Sequence, residues 1–137
     1  MSTIYQRLKY KTKKKKNHKY TPRLQQNPQV RGITMRARIL TPRKPNSARR
    51  PVAKIVLSND KRVTAHIPGP GHNVRRHSEI LVRGGGARDL PGVNYSCTRG
   101  VYDLVGVITK IRRRSIYGNK TPSFMIKKIK RKYRNLM

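Results

Sequence analysis

Between residues 41 and 47 the chain reads Thr41-Pro42-Arg43-Lys44-Pro45-Asn46-Ser47. Each proline restricts its own backbone and that of the residue before it. Arg43 and Lys44 set two cations between them, and Asn46 and Ser47 add short side chains that both donate and accept hydrogen bonds. Such a stiff, basic tip suits recognition of a polar, anionic surface; taken alone it is equally a polar turn between strands. A second loop, Arg88-Asp89-Leu90-Pro91-Gly92, carries an unusual anion and a stiff Pro-Gly turn. Other chemistry is poorly supplied. Cys97 with His66, His72 or His77 would make a nucleophile and base, but a core thiol with surface histidines is the simpler reading. The same histidines lack the cysteine pair that would support a zinc site. Gly84-Gly85-Gly86 is not followed by Gly-Lys-Ser/Thr at Walker spacing. It either lets backbone approach a phosphate closely or serves as a strand-end turn.

Charge narrows the class. The 137 residues carry a formal net charge of +31 with four acids, Asp60, Glu79, Asp89 and Asp103. These acids form no obvious acid–base pair, so the chain is read as a non-enzyme without a metal or cofactor of its own. So high a charge opposes compaction of the isolated chain, and a dense polyanion is the natural remedy. Nucleic acid fits better than an anionic membrane surface, and no apolar stretch is long enough to span a bilayer. A lone cysteine excludes an internal disulfide.

The elements that position these residues are short strands. From Ile33 the pattern has period two: Ile33, Met35, Ala37 and Ile39 are expected inside, with Thr34, Arg36 and Arg38 outside. That strand runs into the Thr41–Ser47 loop. Ala53, Ile55 and Leu57 then alternate with Val52, Lys54 and Val56. After a turn at 58–61, Val63, Ala65 and Ile67 alternate with Arg62, Thr64 and His66, which predicts a hairpin. Pro68-Gly69-Pro70-Gly71 ends it. A fourth strand is expected over Ser78–Arg83, and Val93, Tyr95 and Cys97 alternate again. A last strand is expected over Val101–Val107. The fold class is therefore all-β: a small five-stranded barrel of the OB type, with an SH3-like barrel as runner-up.

Flanking segments are basic. Thr3–Leu8 predicts a short capped helix. Lys11–Lys19, including Lys13, Lys14, Lys15 and Lys16, reads as an arm that binds nucleic acid, with a nuclear localisation signal as competitor. Tyr20–Val30 is expected to be extended. Arg112, Arg113 and Arg114 open the tail, and Ile126, Ile129 and Tyr133 suit a basic amphipathic helix at its end. The division is an extension over 1–30, a barrel with its loops over 31–108, and a tail over 109–137. Both tails are expected to order only on binding. The barrel region holds two aromatics, Tyr95 and Tyr102. Single-strand binders on such barrels stack bases on several, so folded RNA read through backbone and shape is favoured.

At this point the residues resemble a family. Thr41–Ala48 is similar to the signature loop of small-subunit ribosomal protein twelve, the universal uS-twelve family. Gly71-His72-Asn73, His77-Ser78, Arg83-Gly84-Gly85 and Asp89-Leu90-Pro91-Gly92-Val93 resemble its second signature. Arg99-Gly100, Asp103, Gly106 and Arg114-Ser115-x-Tyr117-Gly118 resemble a third, and Thr3-Ile4-x-Gln6 resembles the family's start. The likeness runs to about Pro122. It implies an OB-fold at the decoding centre, with the Arg43, Lys44, Pro45, Asn46, Ser47 loop and the Arg88, Asp89, Leu90, Pro91, Gly92 loop facing decoding RNA. It implies small-subunit rRNA, the mRNA–tRNA minihelix at the aminoacyl site and other ribosomal proteins as partners, and no membrane. It also implies a part in translational accuracy, and no cofactor is expected beyond Mg ions that rRNA can hold. Contacts to rRNA then fall to Lys13 to Lys16, Arg36, Arg38, Arg49, Arg50, Arg83 and Arg112 to Arg114.

Some positions depart from the family's common wording. Arg43 and Arg88 stand where many relatives have Lys, Arg49-Arg50-Pro51 replaces Leu-Arg-Lys, and Gly86 replaces Arg. The wording at Ala65–Gly69 and Gly100–Leu104 resembles mitochondrial members more than bacterial ones. A mitochondrial ribosome is therefore expected, with a bacterial cytoplasm or plastid ribosome as the alternative. The lack of a presequence-like start suggests synthesis inside the organelle.

Overall fold

The computed structural model describes residues 3–9 and 21–123. The Lys13–Lys16 run and the Ile126–Tyr133 pattern lie outside the described residues. At the start, α1 spans Ile4–Lys9. The Gln6 amide donates to Thr3 Oγ1 at 3.3 Å and the Thr3 amide donates back to Gln6 Oε1 at 3.2 Å. This reciprocal cap satisfies two amides that a helix start leaves unpaired.

Five strands close into a barrel: β1 Gln29–Leu40, β2 Arg50–Leu57, β3 Arg62–His66, β4 Glu79–Gly84 and β5 Tyr95–Cys97. Their order around the barrel is β1-β2-β3-β5-β4, with β4 pairing back to β1. Every pairing is antiparallel except β3 with β5. This is the OB-like barrel expected from strand count and size. Ile55, Leu57, Val63, Ala65, Ile67, Ile80, Val82 and Cys97 fill it. The β2–β3 hairpin keeps the alternation read from the sequence, since β-branched residues on one face of a pleated ribbon pack against each other.

The first strand does not keep it. Ile33, Met35 and Ile39 are exposed at 46%, 44% and 62%, while Val30, Gly32 and Thr34 face inward. For Ile33 and Met35 the cause is a register shift between Thr34 and Arg36, whereas Ile39 lies past it, near the strand end opposite Pro51. Thr34 lies opposite Ile55 and Arg36 opposite Lys54, so Met35 is an extra residue that reverses the phase. Beyond it Ala37 faces Ala53, and Arg36 and Arg38 lie on the outer face as expected. A Cβ on Gly32 would lie 2.6 Å from Ile55 Cγ2, so no larger residue fits that inward position.

Two other expectations are corrected. The stretch 20–30 is not simply extended: Pro22–Leu24 forms a 3-10 turn, followed by Gln25 and Gln26 at positive φ. Proline suits the first position of such a turn, and the turn delivers Leu24, 2% exposed, into the barrel core. Val101–Val107 is not a strand. One bridge joins Val101 to Leu104 across a tight turn, with Gly100 at φ +77 and Tyr102 at φ +53. Asp103 Oδ2 accepts the Glu79 amide at 2.7 Å, tying the turn to the start of β4. The barrel closes through β5 instead.

Packing continues on both sides of residues 31–108. Leu24 enters from one side. On the other, α2 (Arg114–Tyr117) presents Tyr117, whose carbonyl accepts the Val107 amide at 3.0 Å. A Cβ on Gly118, at φ +67, would lie 2.5 Å from the Arg99 backbone. Arg99 is 4% exposed and spends its guanidinium on the chain itself: Nε donates to Pro68 O at 2.8 Å, and the terminal nitrogens donate to Val105 O and Gly71 O. Its burial lowers its pKa, opposed by Cys97. It fastens two loops to the barrel.

Candidate nucleic-acid interface

The two loops singled out by their residue types lie side by side, held by direct bonds. The first connects β1 to β2. The Asn46 amide donates to Arg43 O at 3.0 Å, closing a four-residue turn with a cis Lys44–Pro45 bond. Arg43, Lys44, Pro45, Asn46 and Ser47 are all exposed. The tip thus presents two cations, an amide and a hydroxyl, on a backbone restrained by proline and by its own turn.

The second loop reaches across to it. The Arg43 amide donates to Asp89 O at 2.9 Å. Arg50, the first residue of β2, donates from Nε to Asp89 Oδ2 at 2.7 Å, and its terminal nitrogen lies 2.6 Å from the same oxygen. The Asp89 side chain is only 13% exposed. Asp89 therefore binds a neighbouring cation of its own chain rather than standing in solvent. Partly screened from water, a charge-assisted bond of this kind is stronger than a neutral one.

Apolar contacts fix the same loop from below. Leu90 and Val93 are buried against Val52, flanked by Leu40 and Ala87. Leu90 is thus an anchor, while Arg88, Pro91 and Gly92 face outward. Gly92 has φ +74, which suits the turn to glycine. Gly86 passes close to the chain itself: on this loop path a Cβ there would overlap the Val93 carbonyl oxygen. The glycine run allows close approach of the chain to itself at Gly86, and Gly85, at φ +91, faces open space. His66 is half-buried, in register with Val52 on β2. Burial and then Arg50 lower its pKa below the ordinary 6.5, and Asp89 opposes them.

The predicted phosphate ligands divide. Arg36, Arg38, Arg49, Arg83, Arg112 and Arg113 are exposed. Arg50 is committed to Asp89, and Arg114 donates to Thr121 Oγ1. Of the barrel's two tyrosines, Tyr95 is 6% exposed and its hydroxyl accepts the Arg23 amide at 3.2 Å. Tyr102 alone is open among the described barrel residues, too little for a stacking platform. Cys97 is fully buried, and burial pushes its thiol up to about 12, far from a nucleophile's range. Sequence reasoning missed the joining of the loops through Arg50 and the Arg43 amide. The available signal was the presence of one acid in a loop of an otherwise basic chain.

The chain matches the family model "Ribosomal protein S12/S23" over residues 6–131. It belongs to that family. It is also 56% identical over 135 residues to "Small ribosomal subunit protein uS12m" of Paramecium tetraurelia, covering 98% of this chain and 96% of that protein. The family is one of ribosomal constituents, not enzymes, and ribosomal RNA and ribosomal proteins are its partners. Both loops and all five strands lie within the matched residues.

Proposed function

We propose that this protein works in the mitochondrial small ribosomal subunit, at the decoding centre, where it helps the particle distinguish correct from near-correct codon–anticodon pairs. The observation that carries this reading is the bond between the loops. The exposed tip at 43–47 and the anchored loop at 88–92 form one rigid, mostly basic surface through Arg43, Arg50 and Asp89. The mitochondrial assignment is supported by the uS12m relative and by the wording of residues 65–69 and 100–104.

The chemistry required is recognition. A-form RNA presents hydroxyls and base edges in a wide, shallow minor groove. Lys44 and Arg43 neutralise nearby phosphate, which draws the tip towards RNA and makes the contact salt-sensitive. Pro45 and the Arg43–Asn46 turn restrain the tip, so Ser47 is placed at small entropic cost. Leu90, Val93 and Asp89 keep the second loop at fixed height beside it. A surface held in this way fits the closed RNA geometry of a correct pair and loses contacts when the geometry widens. No bond is made or broken, no cofactor of the protein's own is needed, and Mg reaches the surface through RNA. Arg36, Arg38, Arg49, Arg83, Arg112 and Arg113 supply sequence-independent contacts to rRNA phosphate.

The test is Ser47→Ala in assembled particles. Ser47 is exposed and outside the core, so assembly stays normal. A lost hydrogen bond of about 0.5–1.5 kcal/mol lowers the cognate to near-cognate ratio by no more than about tenfold. An unchanged ratio removes Ser47 from the mechanism, and failed assembly would make the tip architectural.

A further inference from the structure

Among the described residues, the barrel's outer face across β1, β2 and β3 is covered at one end only. There Val52 lies under Leu90 and Val93 of the second loop. At the other end Ile33, Val56 and Arg62 stand in register, next to Arg36, Lys54 and Thr64, with Met35 raised between the rows by the bulge. Ile33 and Met35 are 46% and 44% exposed, and Val56 is half-buried. A groove of about 360 Å³ runs here, floored by Met35 and Val56 and rimmed by Arg23, Lys54 and Arg62.

We infer that this uncovered end docks a neighbouring protein of the ribosomal particle, through an apolar side chain flanked by carboxylates. Three observations select that occupant. An apolar floor without an exposed aromatic gives an RNA base only the rim guanidiniums to stack on, and a base or phosphate held there would leave Ile33 and Met35 wet. The chain's own arms have no acid before Asp60 and none after Asp103, and a second copy carries +31, so neither complements a cationic rim. Strand addition is excluded because the barrel is closed and offers no free edge here. What remains is side-chain docking by an acidic, apolar segment, whose carboxylates meet Arg23, Lys54 and Arg62 while its apolar group covers Met35. Glu79, opposite Ile33 on β4, is already within 3.8 Å of Arg31 and does not occupy the rim.

This inference rests on membership of the ribosomal particle and not on the decoding role. Its test is the full-length protein carrying a photoreactive phenylalanine analogue at Met35, assembled into small subunits and irradiated, with the crosslinked residue found by mass spectrometry. The expected product is a crosslink to a ribosomal protein at an apolar residue with Asp or Glu beside it. Crosslinking to rRNA, to this chain's own arms, or to no protein would overturn the inference. Lys54→Glu with Arg62→Glu, both exposed in the fold, should lower that yield about tenfold, as a weakened ionic contact requires; an unchanged yield would overturn the charge matching. The same probe at Lys44 reports separately on RNA at the tip, so a failure of the decoding reading is distinguishable.

Discussion

The two loops of the proposed decoding surface are built in opposite ways. The tip at 43–47 buries none of its side chains and holds its shape through proline and one backbone turn. The loop at 88–92 is anchored by Leu90 in an apolar pocket and by Asp89 on Arg50. In the first loop, each side chain is free to serve recognition. In the second, the residues that set its position are the ones most costly to change. A phenotype from the tip therefore reads as function, whereas one from the second loop has to be separated from stability.

Gly86→Ala should break the contrast most severely. Its Cβ would overlap the Val93 carbonyl, so the second loop must move and release Leu90. The full-length protein should lose about 3–5 kcal/mol in denaturant unfolding, the range of severe backbone and packing lesions. Retained stability would mean that the loop accepts a second path.

Asp89→Ala comes next. It leaves the guanidinium of Arg50, whose side chain is 36% exposed, without its carboxylate. A loss of about 1–3 kcal/mol is expected, the cost of an unmade bond to a charged group. Ser47→Ala in the same assay should change stability by less than about 0.5 kcal/mol, as surface changes do. Equal effects from the two would erase the distinction between the loops.

His66 gives a smaller and more local readout. Its folded pKa lies below the unfolded value near 6.5, mainly through burial and then Arg50. The unfolded chain therefore binds more protons as pH falls through 6.5, and this contribution to stability is lost on acidification below that value and restored above it. Followed by NMR titration, Arg50→Met should raise the His66 pKa and Asp89→Asn should lower it further. Opposite signs would separate His66 from the clamp.

Much of this was legible in the chain. The tip, the hairpin of β2 and β3, and β4 follow from alternation and turn residues. The phase of β1 was not legible before Arg36, because a bulge at Met35 leaves no mark in a pattern of alternating apolar residues. Pro22 and the glutamines gave no sign that Leu24 turns back into the core. Val101, Val107 and their neighbours suited a strand, but Gly100 and Tyr102 at positive φ make a turn. The Arg50–Asp89 bond joins residues 39 apart in sequence, and only the closed barrel brings them together. Charge counting along the chain marks Arg50 as a phosphate-binding cation but gives no sign of its bond to Asp89.

The central claim is that the two loops act as a single recognition surface joined at Asp89. Its most direct measurement is a double-mutant cycle on the cognate to near-cognate ratio in assembled particles, with Ser47→Ala, Asp89→Asn and the pair. Asp89→Asn keeps the side chain's size and one acceptor while removing its charge. If the clamp positions the tip, each single change lowers the ratio and the pair lowers it no further than the worse of the two. Effects that multiply would mean that the loops contribute independently and would contradict the account.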